Sequence, residues 1–172
     1  EGDLLWYPVE GKNTICQAPD VMIVFGVPKG DRRSYIQFRE QNIPPQVVFE
    51  IRSYSDSQIK MDKKVAFYNR YGVEEYYLYD PDNQELSGWQ RIEGLLEVIE
   101  PISGWISPRL GIRLELTESG LELYRPDGQK FLSYLELEEQ RELANQRAEQ
   151  SDQRAERLAA KLRELNIDPD TL

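Results

Sequence analysis

Residues 44–81 read PPQVVFEIRSYSDSQIKMDKKVAFYNRYGVEEYYLYDP. The tandem proline makes the chain extended, and residues 46–51 then form a short β-branched run, the pattern of a buried strand. Period-two geometry puts Val48, Glu50 and Arg52 on one face and Val47, Phe49 and Ile51 on the other. Ser55, Asp56 and Ser57 offer N-caps for a helix over residues 58–71, and Gly72 stands where a left-handed C-terminal cap belongs. Met61, Val65 and Tyr68 fall at i, i+4 and i+7, one buried stripe, with Lys60, Lys64, Phe67 and Tyr71 on the stripe beside it. Lys63 and Arg70 point further out. A second aromatic strand over 75–79 is stopped by the turn D-P-D-N. The unit is strand, helix, strand, with a right-handed crossover if the strands are parallel.

Upstream, residues 21–27 form a near-continuous apolar run headed by Asp20, which predicts a strand buried on both faces. The polar and basic stretch 29–45 predicts a long loop, either functional or mobile. Residues 3–9 predict a strand of about four residues, and 15–18 fit more than one state. Downstream, residues 85–92, 95–101, 110–116 and 121–124 alternate with glycine turns and predict an antiparallel meander extending the sheet. From Tyr134 the composition turns to Glu, Gln, Arg, Ala and Leu. Heptad counting aligns Leu137, Ala144, Ser151, Leu158 and Leu165 at one position, and Arg141, Ala148, Ala155 and Leu162 at the other. A coiled-coil-like helix pairing through Leu158, Leu162 and Leu165 fits this pattern; a solvated helix fits it equally. The expected division is a domain at 1–132 and a helical tail at 133–172.

Composition narrows the chemistry. The chain has no histidine and one cysteine, Cys16. Imidazole catalysis, histidine-ligated zinc, multi-thiolate sites and an internal disulfide are all excluded for these residues. An enzyme of this composition works with acids, lysines and a hard metal. No run approaches the roughly 18 apolar residues of a membrane span, and no basic-then-apolar signal segment opens the sequence. The expectation is a cytoplasmic protein without a membrane partner. Net charge is −10, yet residues 29–70 carry nine basic residues against five acids. A locally basic face fits phosphate binding, and fits a solvated surface as well.

Asp20 and Glu50 each stand against an apolar strand run. If the strands pair, their carboxylates can converge on Mg²⁺, with the backbone carbonyl of Ile51 as a further hard ligand. An acid at a strand end more often meets a turn. Glu50 carries the stronger signal, because apolar residues and prolines surround it and a buried carboxylate needs a cation.

P-D-V at 19–21, V-V-F-E-I-R-S at 47–53, K-K-V-A-F-Y at 63–68 and Y-G-V-E-E-Y-Y-L-Y-D-P at 71–81 resemble the Uma-type restriction endonuclease family of the PD-(D/E)XK nuclease superfamily. The resemblance continues through S-G-W at 87–89, W-I-S-P-R-L-G at 105–111, L-Y-R-P-D-G at 123–128 and the end of the tail. It implies an α/β restriction-endonuclease-like fold, a mixed central sheet flanked by helices, with a helix ahead of the first strand that this chain does not include. It implies an endonuclease that hydrolyses phosphodiester bonds of DNA with Mg²⁺ or Mn²⁺, with Asp20 and Glu50 as metal-binding acids. The superfamily lysine two residues after the glutamate is Arg52 here, and arginine stays protonated and cannot act as a base. Lys64 on the following helix matches the family's alternative lysine. Arg52, Lys60 and Lys63 are then phosphate contacts, and Glu75 and Tyr76 structural residues. The competing expectation is a catalytically silent nuclease-fold scaffold that assembles, as a homodimer or with a partner, through its tail.

Overall fold

The structure is a computed structural model and describes residues 4–164. The chain divides into two compact units, residues 1–130 and 131–172. The first is built on a five-stranded mixed sheet in the order β2-β4-β5-β6-β7. Its strands are β2 (Val21–Ile23), β4 (Val47–Ile51), β5 (Glu75–Asp80), β6 (Glu85–Ile92) and β7 (Leu95–Val98). Strand β4 lies antiparallel to β2 and parallel to β5, with helix α1 (Gln58–Arg70) as the crossover between β4 and β5. The predicted strand-helix-strand unit is therefore present, in one sheet.

Local chemistry explains α1. The Ser57 hydroxyl accepts the Lys60 N–H at 3.3 Å, a cap that contributes about 1 kcal/mol. Met61 and Tyr68 are buried and Val65 half-buried, so the stripe of apolar positions faces the sheet. Beyond the C-cap Tyr71, Gly72 takes φ +89°, the left-handed turn that an L side chain would strain.

Neighbouring residues of the central strands separate into two cores, which shows that both sheet faces are covered. Val48 and Tyr76 join Trp6, Tyr35, Tyr68 and Val73 on the α1 side. Val47 and Tyr77 join Leu86, Ile99 and Leu114 on the other. Gly88 in β6 permits the second packing, because a Cβ there would collide with the Ile102 side chain. On this second face Glu75 is buried and accepts hydrogen bonds from Tyr77 Oη at 2.9 Å, Arg109 N at 2.8 Å and the Ser107 hydroxyl. That clasp ties β5 to the W-I-S-P-R-L-G segment.

Several expectations are corrected. The run 21–27 is a strand only to Ile23, and it is an edge strand, not one buried on both faces: Val21 is 47% exposed. The β2–β4 register explains the early end. Continuing it would set Phe25 and Gly26 opposite Pro45 and Pro44, which have no N–H to give. The Phe25 N–H instead donates to Gln46 Oε1 at 2.7 Å. The first predicted strand shrinks to β1 (Trp6–Tyr7), which pairs in parallel with β3 (Tyr35–Ile36). The 29–45 segment is thus no structureless loop. It holds β3 and a 3₁₀ turn at Gln37–Arg39, pinned by Trp6 Nε1 to Gln37 Oε1 at 2.9 Å and Tyr35 Oη to the Ile43 carbonyl at 2.6 Å. The meander also divides. Strands β6 and β7 extend the main sheet, whereas β8 (Arg113–Thr117) and β9 (Gly120–Tyr124) form a separate two-stranded sheet.

The second unit contains α2 (Tyr134–Glu164), a helix of 31 residues. The Ser133 and Glu136 side chains cap its start reciprocally, Ser133 Oγ accepting the Glu136 N–H at 3.2 Å and Glu136 Oε2 the Ser133 N–H at 2.7 Å. Leu137 and Leu158 are exposed and Leu162 is half-buried. Leu165 lies outside the described residues. Among the described residues no helix is long and apolar enough to cross a membrane.

Candidate functional site

Strand β4 delivers Glu50 to the face that α1 covers, as its alternation with Val48 requires. Glu50 is 2% exposed. Lys64, one residue before the buried stripe of α1, reaches it with Nζ at 2.7 Å from Oε2. Tyr68, one helical turn on, donates its hydroxyl to Oε1. The expected Glu50–Lys64 juxtaposition is thus formed. Burial pushes the Glu50 carboxyl above its ordinary range; Lys64 and Tyr68 oppose that shift, and the Asp20 charge adds to it.

Asp20 precedes β2. Extending the β2–β4 register by one residue brings it opposite Glu50. Its Oδ2 accepts the Ile51 N–H at 2.6 Å, so Asp20 already touches Ile51, through that residue's nitrogen. Among the described residues no third acid gathers with these two into a three-ligand cluster. The donor set still fits a divalent cation of the magnesium type, which commonly takes one or two carboxylates and keeps several waters. Each carboxylate oxygen also retains a lone pair beyond the hydrogen bonds described.

The remaining cations are placed less freely than the +4 of the segment suggests. Arg52 pairs with Asp80, Nη1 to Oδ2 at 3.3 Å, and Lys60 is held by Asp56. Asp56 also accepts the Ser53 N–H at 3.1 Å; with Lys60 as the larger cause, its carboxyl is drawn down to about 2. Lys63 is exposed. Arg52 and Lys60 thus clasp the 52–57 loop, and Lys64 holds Glu50.

Sequence reasoning missed Tyr68 as a partner of Glu50. It placed the residue correctly in the buried stripe but counted only the ring. A tyrosine in place of phenylalanine at a buried helix position is itself a signal, since its O–H needs an acceptor.

The family described as "Uma2: Putative restriction endonuclease" matches residues 5–123. None of the curated proteins matches the chain. A solved structure from Anabaena variabilis, titled as a "putative nuclease belonging to DUF820", is similar at 22% identity with a TM-score of 0.44. The similarity covers 59% of this chain and 57% of that one, so the match spans less than two thirds of its length.

Proposed function

The chain belongs to the Uma2 family, and from that premise we propose a metal-dependent endonuclease that hydrolyses phosphodiester bonds of DNA at Asp20, Glu50 and Lys64. The observation that carries the reading is the buried Glu50 carboxylate, with a lysine at 2.7 Å and a second acid, Asp20, opposite it when the β2–β4 register is extended by one residue. A carboxylate this buried is costly without a cation.

Asp20 and Glu50 would hold Mg²⁺ or Mn²⁺, with the Ile51 carbonyl as a further oxygen. When bound, such a cation supplies water activation and stabilisation of phosphate charge. The protein groups do the rest. Tyr68 and Lys64 fix the Glu50 carboxylate in one orientation from its two ends. Lys64 keeps its ammonium at the site, where it balances the negative charge that grows on phosphate as the bond breaks. Lys63 offers an exposed charge to the DNA backbone. Arg52 and Lys60 reach phosphate only by exchanging Asp80 and Asp56 for it. A second copy of the chain, joined through the helical tail, is the proposed protein partner.

The test is cleavage of duplex DNA, single-stranded DNA and RNA with Mg²⁺ or Mn²⁺, comparing wild type with Lys64→Ala. Loss of roughly 100-fold or more in kcat is expected, the usual scale for removing one stabilising charge. Full activity in Lys64→Ala would refute the lysine assignment. A wild type that cleaves none of the three substrates would refute the nuclease and leave the silent scaffold.

A further inference from the structure

Tyr54 is the most exposed large apolar or aromatic side chain among the described residues, at 97%, and it makes no hydrogen bond or ring contact with any of them. It does not sit on a loose loop. Residues 53–56 form a β-turn closed by the Asp56 N–H donating to the Ser53 carbonyl at 2.9 Å, with Tyr54 at its first corner. The Asp56 carboxylate closes the same turn again, accepting the Ser53 N–H at 3.1 Å, and Lys60 clamps Asp56. The chain enters the turn equally fixed. Ile51 donates its N–H to Asp20, and Arg52 donates its N–H to the Tyr79 carbonyl at 2.8 Å. A ring without a packing partner is thus held out on a braced tip.

The surroundings of this ring say what it meets. Tyr54 follows Glu50 by four residues, which limits the distance between their backbones to about 14 Å. Ile51 and Ile59 are exposed on the same stretch, and so are Lys60 and Lys63. Ion pairs interrupt this apolar surface, Arg52 with Asp80 and Lys60 with Asp56, and Asp20 stands beside it. A protein partner would have to desolvate those charges, whereas the buried centre of a protein interface is poor in them. A nucleobase needs only the face of the ring and leaves the charges in water. For a chain of net charge −10, stacking also supplies affinity that does not depend on a basic surface.

We propose that Tyr54 is a substrate-binding residue of the Glu50 site, its ring stacking on an unpaired base of the DNA strand that is cut. This rests on the nuclease reading above, and it narrows the substrate to DNA with an unpaired base near the scissile phosphate. In an undistorted duplex the bases already stack on one another, so no base face is free for the ring.

The test is fluorescence anisotropy titration, with Mg²⁺ present, of the full chain and its Tyr54→Ala and Tyr54→Phe variants. The probes are a labelled single-stranded DNA, a strand of the same length without bases, and a duplex, all with phosphorothioate linkages to resist hydrolysis. Tyr54→Ala is expected to weaken binding of the single strand by about 10-fold, the scale of losing one stacked base. Tyr54→Phe keeps the ring and stays within about twofold of the wild type. Neither variant shifts the melting temperature, because the side chain packs on nothing. The Tyr54→Ala loss vanishes on the base-free strand and persists when salt is raised, unlike the loss of a phosphate contact. Undiminished binding by Tyr54→Ala would overturn the proposal. So would an equal loss in Tyr54→Phe, which would mean a hydroxyl contact, or an equal loss on the base-free strand or the duplex. A lower mass of Tyr54→Ala in light scattering would make a second copy of the chain the occupant, and overturn it as well. A wild type that binds none of the three probes overturns it together with the nucleic-acid reading. A wild type that binds the single strand but cleaves nothing sinks the nuclease reading alone, and the titrations still decide Tyr54.

Discussion

Glu50 is held in place by two side chains that each compensate part of the cost of burying it, and removing either exposes that cost. Lys64→Met keeps the aliphatic stem across the edge of α1 but leaves the carboxylate without its cation. Breaking a buried pair in this way costs roughly 3–5 kcal/mol. The pH dependence follows from the direction of the Glu50 shift. Its carboxyl is raised in the fold, so its contribution favours folding at low pH and is lost as pH rises through the folded value. Without Lys64 the shift grows. The stability difference between wild type and Lys64→Met, read from urea unfolding, is therefore expected to be largest at neutral pH and to shrink on acidification. A difference that stays constant with pH would mean that Glu50 is not the group uncompensated. At this scale the sequence was informative where periodicity decides: strand parity set Glu50, and helical spacing set Lys64 at the margin of the buried stripe. It was silent on hydroxyl partners, because Tyr68 and Tyr76 look alike to a pattern of apolar positions. Only the fold separates the one that reaches Glu50 from the one that does not.

Strand β4, α1 and β5 were legible because each carries its own stop signals: a proline pair, a capping serine, a left-handed glycine and an Asp-Pro turn. Strand β2 was not, because its length is set by its partner. The prolines that begin β4 end the ladder, and that information lies some twenty residues away in sequence. The same holds for the 29–45 segment, whose short strand forms only by pairing with Trp6 and Tyr7. Helix α2 was read from composition and capping, and both are local. Leu158 is 55% exposed and the middle heptad positions are small or polar, so pairing with a partner chain would rest on Leu158, Leu162 and Leu165. Truncation before Asp152 is expected to lower the mass measured by light scattering from two chains to one. An unchanged mass would leave α2 a solvated appendage.

Across the whole chain, a net charge of −10 sits beside a candidate nucleic-acid site. Of the basic residues of the 29–70 segment, Arg52, Lys60 and Lys64 are each paired with a carboxylate, while Lys63 is exposed. At Asp20 and Glu50 themselves, electrostatics favours a cation before a polyanion. Metal binding is therefore the hinge of the account. The most direct test is calorimetric titration of Mg²⁺ into the wild type, Asp20→Asn and Glu50→Gln, since each exchange keeps side-chain shape and removes the charge that a hard cation requires. Binding by the wild type that both substitutions abolish is the predicted result. Wild-type binding that survives Glu50→Gln undiminished, or no binding by the wild type at all, would contradict it.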